Sequence, residues 1–130
     1  MTPIEVVCGI ISSNDKIFIA RRKQGKSMAG KWEFPGGKRE AGESDIQALK
    51  RELREEFGMA VDILNRFGSN FHDYENFSIK LTAYNCEFIG ASFNLTDHDK
   101  YAWVFPNDLI KFEFASADLP FVKLISENLQ

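Results

Sequence analysis

Cysteine is scarce in this 130-residue chain: Cys8 and Cys86 are the only two. Two isolated cysteines make neither a disulfide framework nor a zinc cluster, so both are expected as buried free thiols in a reducing, cytoplasmic setting. Long apolar runs are missing too. No window approaches the roughly 20 apolar residues that a membrane span needs. The N-terminal stretch MTPIEVVCGII is short, carries Glu5 and has no cationic leader, which makes it a poor signal peptide. An excess of positive charge is also lacking. Sixteen Lys and Arg stand against 19 Asp and Glu, for a net charge of -3 and a pI near 5.4. Such a chain has no strong pull on long nucleic acid. A phosphate-bearing ligand would need a local device, such as a metal ion or a few placed cations. There is no repeat, low-complexity tract or linker, and the length suits one domain over residues 1–130.

What is present is a well-stocked core: hydrophobic residues make up 44% of the chain, and Phe alone occurs 12 times. Residues 4–11 (IEVVCGII) predict a buried strand, the turn-rich 12–15 a reversal, and 16–22 (KIFIARR) its hairpin partner. Residues 23–31 form a polar loop. A short strand is predicted at 32–34, stopped by Pro35-Gly36-Gly37. In residues 44–57, Ile46, Leu49, Leu53 and Phe57 recur at helical spacing. Ser44 with Gln47 offers a capping box and Gly58 a stop. Residues 77–88 alternate as a half-buried strand, with a further short strand at 101–105 and a closing helix at 119–129, Pro120 in its first turn. Strands around two helices predict an α+β fold, a mixed sheet sandwiched between helices.

RELREEFG, residues 51–58, places Glu52, Glu55 and Glu56 at i, i+3 and i+4 of the predicted helix. Each like-charge contact costs only about 0.2–0.5 kcal/mol on an exposed helix, so a solvated acidic face is one reading. The preceding stretch EFPGGKREAGE favours another. Glycine turns permit positive φ and expose carbonyls, and hard cations such as Mg²⁺ or Mn²⁺ take oxygen ligands shared with waters and substrate phosphates.

Gly37, Glu43, Arg51-Glu52-Leu53, Glu55-Glu56, Gly58 and Met59 match the Nudix box, G-x5-E-x7-R-E-U-x-E-E-x-G-U with U a bulky aliphatic residue. All nine defined positions agree, which makes chance agreement negligible. WEFPGGK at 32–38, ARR at 20–22 and FASADLP at 114–120 extend a looser likeness to the MutT branch of the family. That branch includes pyrophosphohydrolases of 8-oxo-dGTP and of CTP. The resemblance implies the Nudix fold (an α/β/α sandwich) and Mg²⁺-dependent conversion of a nucleoside triphosphate to a monophosphate and pyrophosphate, with Mn²⁺ as a substitute ion. The implied partner is a small nucleotide, and the implied assembly a monomer or homodimer.

By the same resemblance, Glu52, Glu55 and Glu56 bind metal, and Glu52 and Glu56 should point together. The Gly36 carbonyl and Asp97 join them, and Glu43 with Arg51 pins loop to helix. Lys38 lies near the phosphates, and Arg22, Phe34 and Asp118 near the nucleobase. A carboxylate must accept the proton of the attacking water; Glu52 and Asp97 are both candidates. Blander roles stand beside these: a solvated Lys38, a surface Arg22, a core Phe34, a turn residue at Asp97 and a helix cap at Asp118. His72 and His98 are expected to be surface or structural residues. Where the 8-oxo-dGTP enzyme has an asparagine, this chain has Asp118, whose ionised form accepts only and suits the cytosine amino group. A protonated Asp118 would still permit an oxidised purine. Rival readings are a hydrolase of another nucleoside diphosphate compound, and a non-catalytic nucleotide sensor.

Overall fold

The computed structural model describes residues 2–127. Its strands are β1 (Ile4–Ser13), β2 (Lys16–Arg22), β3 (Trp32–Glu33), β4 (Gly36–Lys38), β5 (Met59–Asp73), β6 (Ser78–Ala91) and β7 (His98–Val104). The helices are α1 (Asp45–Phe57) and α2 (Leu119–Glu127), with 3-10 turns at Pro106–Lys111 and Ser116–Asp118. The strands form one mixed sheet in the order β3-β2-β1-β6-β5, with β4 pairing β1 and β7 pairing β2. Only β1 and β6 run parallel among these pairs.

The central strands are buried on both faces, which is why they read as continuous apolar runs. Val7, Ile11, Phe18 and Ala20 meet Leu49, Leu53 and Phe57 of α1. Their neighbours Cys8, Ile10, Ile17 and Ile19 meet Leu109, Ala117, Phe121 and Val122 on the other side. The sandwich expected from the sequence is therefore present. The β1–β2 reversal is tight: Asn14 and Asp15 both hold positive φ, 51° and 66°, the geometry that favours Asn and Asp in two-residue hairpin turns.

α1 follows its sequence signals. The Ser44 hydroxyl accepts from the Gln47 N–H, and the Gln47 side chain accepts from the Ser44 N–H. Gly58 closes the helix in the left-handed region, φ 58°. A cap of this kind contributes about 1 kcal/mol, and burying each of Leu49, Leu53 and Phe57 roughly 1.5–3 kcal/mol. Ile46 departs from the predicted stripe. It is 45% exposed, and Ala48 takes the core position instead.

Several boundaries differ, β1 ending at Ser13 and β3 at Glu33. The strand predicted at 77–88 runs Ser78–Ala91, and the one at 101–105 runs His98–Val104. The predicted end of the last helix lies outside the described residues. Gly36 and Gly37, predicted as a turn with positive φ, are instead paired strand residues of β4 facing Cys8 and Val7, and neither has positive φ. β5, which the sequence pattern did not reveal, is the longest strand and pairs with β6 along its whole length.

Candidate active site

The site is built where β4 passes under α1. β4 is glycine-rich because there is no room for anything else. A Cβ on Gly37 would stand 2.3–2.6 Å from the carboxyl atoms of Glu52, and one on Gly36 would stand 1.9 Å from the Val7 carbonyl oxygen. The glycines are thus needed for close approach rather than for turning. Gly37 leaves a cradle into which the Glu52 carboxylate settles.

Arg51 organises the corner. Its guanidinium donates to Glu43 at 2.7 and 2.9 Å, to Glu52 at 3.0 Å, to Glu55 at 3.2 Å and to the Lys38 carbonyl at 3.0 Å. The loop before α1 is thereby fastened to the helix, the arrangement expected of Glu43 and Arg51. The Arg51 hydrogen bonds, helped by the Glu40 N–H, hold the Glu43 carboxyl down at about 2.

The three helix glutamates do not stand as one patch. Glu52 and Glu55 turn to Arg51, while Glu56 accepts from Thr96 at 2.9 Å and meets Asp97. Each carboxylate relieves the mutual repulsion by turning to the nearest donor. Among the described residues, no three His, Cys, Asp or Glu side chains converge as a ready-made metal cage. Burial raises the Glu52 carboxyl, against the pull of Arg51. Burial and then the Asp97 contact raise Glu56. Asp97 is lowered by its hydrogen bond with Glu56 and by Lys26, whose Nζ lies 3.0 Å away. Glu52 and Glu56 are partly desolvated carboxyls beside a glycine cradle, and with Glu55 and Asp97 they outnumber the cations that pair with them, Arg51 and Lys26. That donor set fits a divalent cation sharing its coordination with a ligand's phosphates.

A cavity of about 520 Å³ opens beside this corner, with Arg22, Met28, Phe34, Lys38, Tyr74 and Asp118 among its walls. Lys38 is exposed at its mouth. Phe34 is a core residue, 2% exposed and packed on Phe114, yet its edge reaches the cavity. Arg22 is a half-buried residue whose guanidinium donates to the Ser27 carbonyl at 3.2 Å. Asp118 is not a helix cap: its Oδ2 accepts the Phe34 N–H at 2.8 Å. Burial, reinforced by Glu33, pushes the Asp118 carboxyl well above the ordinary carboxylate range, against the pull of the Phe34 N–H.

The profile of the NUDIX domain family matches residues 6–124. The chain belongs to the Nudix family. It is a hydrolase of phosphoric anhydride bonds, and Nudix hydrolases act on small nucleotides and generally need a divalent metal. The chain is 35% identical to the CTP pyrophosphohydrolase of Escherichia coli K12 over 95% of its length and 91% of that protein's. It is 33% identical to a protein named putative 8-oxo-dGTP diphosphatase 2 from Mycobacterium tuberculosis H37Rv, covering 95% and 89% of the two chains. The solution structure of a MutT protein of the Nudix hydrolase family from methicillin-resistant Staphylococcus aureus 252 superimposes with a TM-score of 0.77 at 36% identity, covering 98% of each chain. No helix among the described residues is long and apolar enough to cross a membrane.

Two residues of this Nudix site escaped the sequence reading. Glu33 stands within WEFPGGK, where the resemblance implies no role for it, and His98 is expected only as a surface or structural residue. His98 is in fact 3% exposed, with Nε2 2.7 Å from Glu33 Oε2. They are 65 positions apart, and no local spacing announces such a pair.

Proposed function

We propose that this Nudix enzyme is a Mg²⁺-dependent nucleoside triphosphate pyrophosphohydrolase that clears CTP, dCTP or modified pyrimidine nucleotides, yielding NMP and pyrophosphate. The observation that carries the reading is the Glu52 carboxylate lodged against Gly37, at the edge of a cavity that reaches the buried Asp118. Glu52, Glu55, Glu56, Asp97 and the Gly36 carbonyl would hold the ion. When bound, Mg²⁺ or Mn²⁺ lowers the pKa of the attacking water and offsets charge developing on the phosphate oxygens.

The chain's own groups supply the rest. Lys38, at the cavity mouth, meets the phosphates, and Glu43 with Arg51 keeps the loop at its working distance from α1. Glu52 is favoured over Asp97 as proton acceptor, because Asp97 is engaged by both Lys26 and Glu56 whereas Glu52 has Arg51 alone. Arg22 and Phe34 flank the base. Asp118, its carboxyl raised by burial, accepts from the cytosine amino group, and its protonated form adds a donor for cytosine N3. The same edge pairs with a guanine-type N–H and carbonyl, which keeps 8-oxo-dGTP as the second reading; the name of the mycobacterial relative favours it. Every group invoked lies on one chain, so a monomer suffices and a homodimer is compatible. The buried thiols Cys8 and Cys86 suit a reducing, cytoplasmic setting.

The deciding experiment incubates the protein with Mg²⁺ and a panel of normal and oxidised nucleoside triphosphates, resolves products, and compares kcat/KM. Pyrophosphate release with the highest kcat/KM on CTP or dCTP supports the proposal. A maximum on 8-oxo-dGTP supports the alternative, and stoichiometric binding without release would make the chain a sensor.

A further inference from the structure

His98 sits on β7 between Glu33 of the cavity wall and Glu56 of α1. Its ring packs on Phe57 of α1, centroids 5.0 Å apart and planes 30° apart. Nε2 lies 2.7 Å from Oε2 of Glu33, which lines the cavity wall on β3. Nδ1 is buried, has no hydrogen-bond partner, and lies 3.7 Å from Oε2 of Glu56. Buried polar atoms are almost always satisfied, so an orphan next to a functional carboxylate asks for a reason. The same Glu33 oxygen lies 3.7 Å from the Arg22 guanidinium. One rigid ring therefore touches the cavity wall with one nitrogen and faces the metal corner with the other.

We propose that His98 is a positioning residue that ties Glu33 to Glu56, so that the setting of the nucleotide cavity and the grip on the divalent ion are linked through one imidazole. The inference rests on the reading of Glu56 as a metal-holding group. Glu33 orients the ring, and the ring orients the Glu56 carboxylate, as partners behind metal ligands commonly do. Glu33 thus influences the metal corner without reaching it.

The test is a double-mutant cycle on Mn²⁺ affinity in nucleotide-free protein, read from the EPR signal of free Mn²⁺. Glu33→Gln and His98→Leu are each expected to weaken Mn²⁺ binding about 10-fold. The double variant should bind no more weakly than His98→Leu alone, because Glu33 acts through the ring. Additive losses, about 100-fold in the double variant, or a silent Glu33→Gln, would overturn the link, since two groups that act on the ion independently give additive losses. Should His98→Leu fail to fold, His98→Gln replaces it: its amide reaches Glu33 but leaves no atom at the Nδ1 place, and Glu33→Gln must then be silent in that background. Wild-type protein that does not bind Mn²⁺ at all overturns both this link and the metal reading. Wild-type binding with additive variants overturns the link alone.

Discussion

Adding one methyl group to either of two adjacent glycines should give opposite outcomes. In Gly37→Ala the new Cβ would stand 2.3 Å from Glu52 Cδ, where an ordinary contact needs 3.4–4 Å, so the carboxylate must retreat by about 1 Å. The obstacle is the tip of a flexible side chain, and the backbone can stay in place. A misplacement of about 1 Å at reacting groups costs about 100-fold in rate, while the lower entropy of the unfolded alanine chain contributes about 0.4–1 kcal/mol in favour of the fold. Gly37→Ala should therefore lose about 100-fold in kcat with an unchanged or slightly raised Tm. In Gly36→Ala the Cβ meets the Val7 carbonyl oxygen at 1.9 Å and the Cys8 Cα at 2.7 Å, both backbone. Relief requires parting β4 from β1, which are paired at Val6–Lys38, Val7–Gly37 and Cys8–Gly36. At about 1 kcal/mol per hydrogen bond lost, the cost is about 2–3 kcal/mol, or a Tm lower by about 10 °C for a chain of this size. Thermal unfolding by circular dichroism and steady-state pyrophosphate release measure the two effects. A Gly37→Ala enzyme with near-wild-type kcat, or one destabilised as much as Gly36→Ala, would refute the cradle argument.

Glu56→Gln should lower turnover by at least about 10–100-fold with its Tm kept within a few degrees, measured by the same two assays; near-normal catalysis would contradict the role given to Glu56. The Glu43 carboxyl is depressed from 4.5 to about 2, so its pairing with Arg51 stabilises the fold fully above pH 4.5 and loses that contribution as pH falls toward 2. Glu43→Gln should flatten the stability–pH curve in that window, as urea denaturation at stepped pH would reveal. Burial pushes the Cys86 thiol up to about 12 and the Cys8 thiol well up. At pH 8 the folded protein should therefore resist a thiol-labelling disulfide, and urea should release two reactive thiols.

The parts of this protein that were legible in its sequence are those in which cause and effect lie within a few residues. Ser44, Gln47 and Gly58 mark the ends of α1 by local hydrogen bonds, and KIFIARR is a strand over its predicted span. β5 was illegible because its register with β6 shifts at three places, which breaks the period of two on which strand recognition depends. Thr82 of β6 departs from the half-buried alternation expected of residues 77–88. It falls on the polar side of the alternation but is 3% exposed, because helices cover both faces of the sheet. In the site, the Glu43–Arg51 tie matches what the family resemblance implied, eight positions apart. The separation of Glu56 from Glu52 was hidden, since it depends on Thr96 and Asp97 arriving from a distant loop. Glycine misled by chemistry: Gly36 and Gly37 suggest freedom of φ, whereas their function is the lack of a side chain.

The fork of Arg51 reaches Glu43, Glu52, Glu55 and the Lys38 carbonyl at once. A lysine has no planar array of five donors with which to imitate it. The segment between Lys38 and Glu43 is consequently a measured span: apart from Gly42, held at φ 84°, its letters are at liberty to drift, but a single insertion or deletion would slide Glu43 off the fork. Variation in this stretch should accumulate as substitutions and not as changes of length.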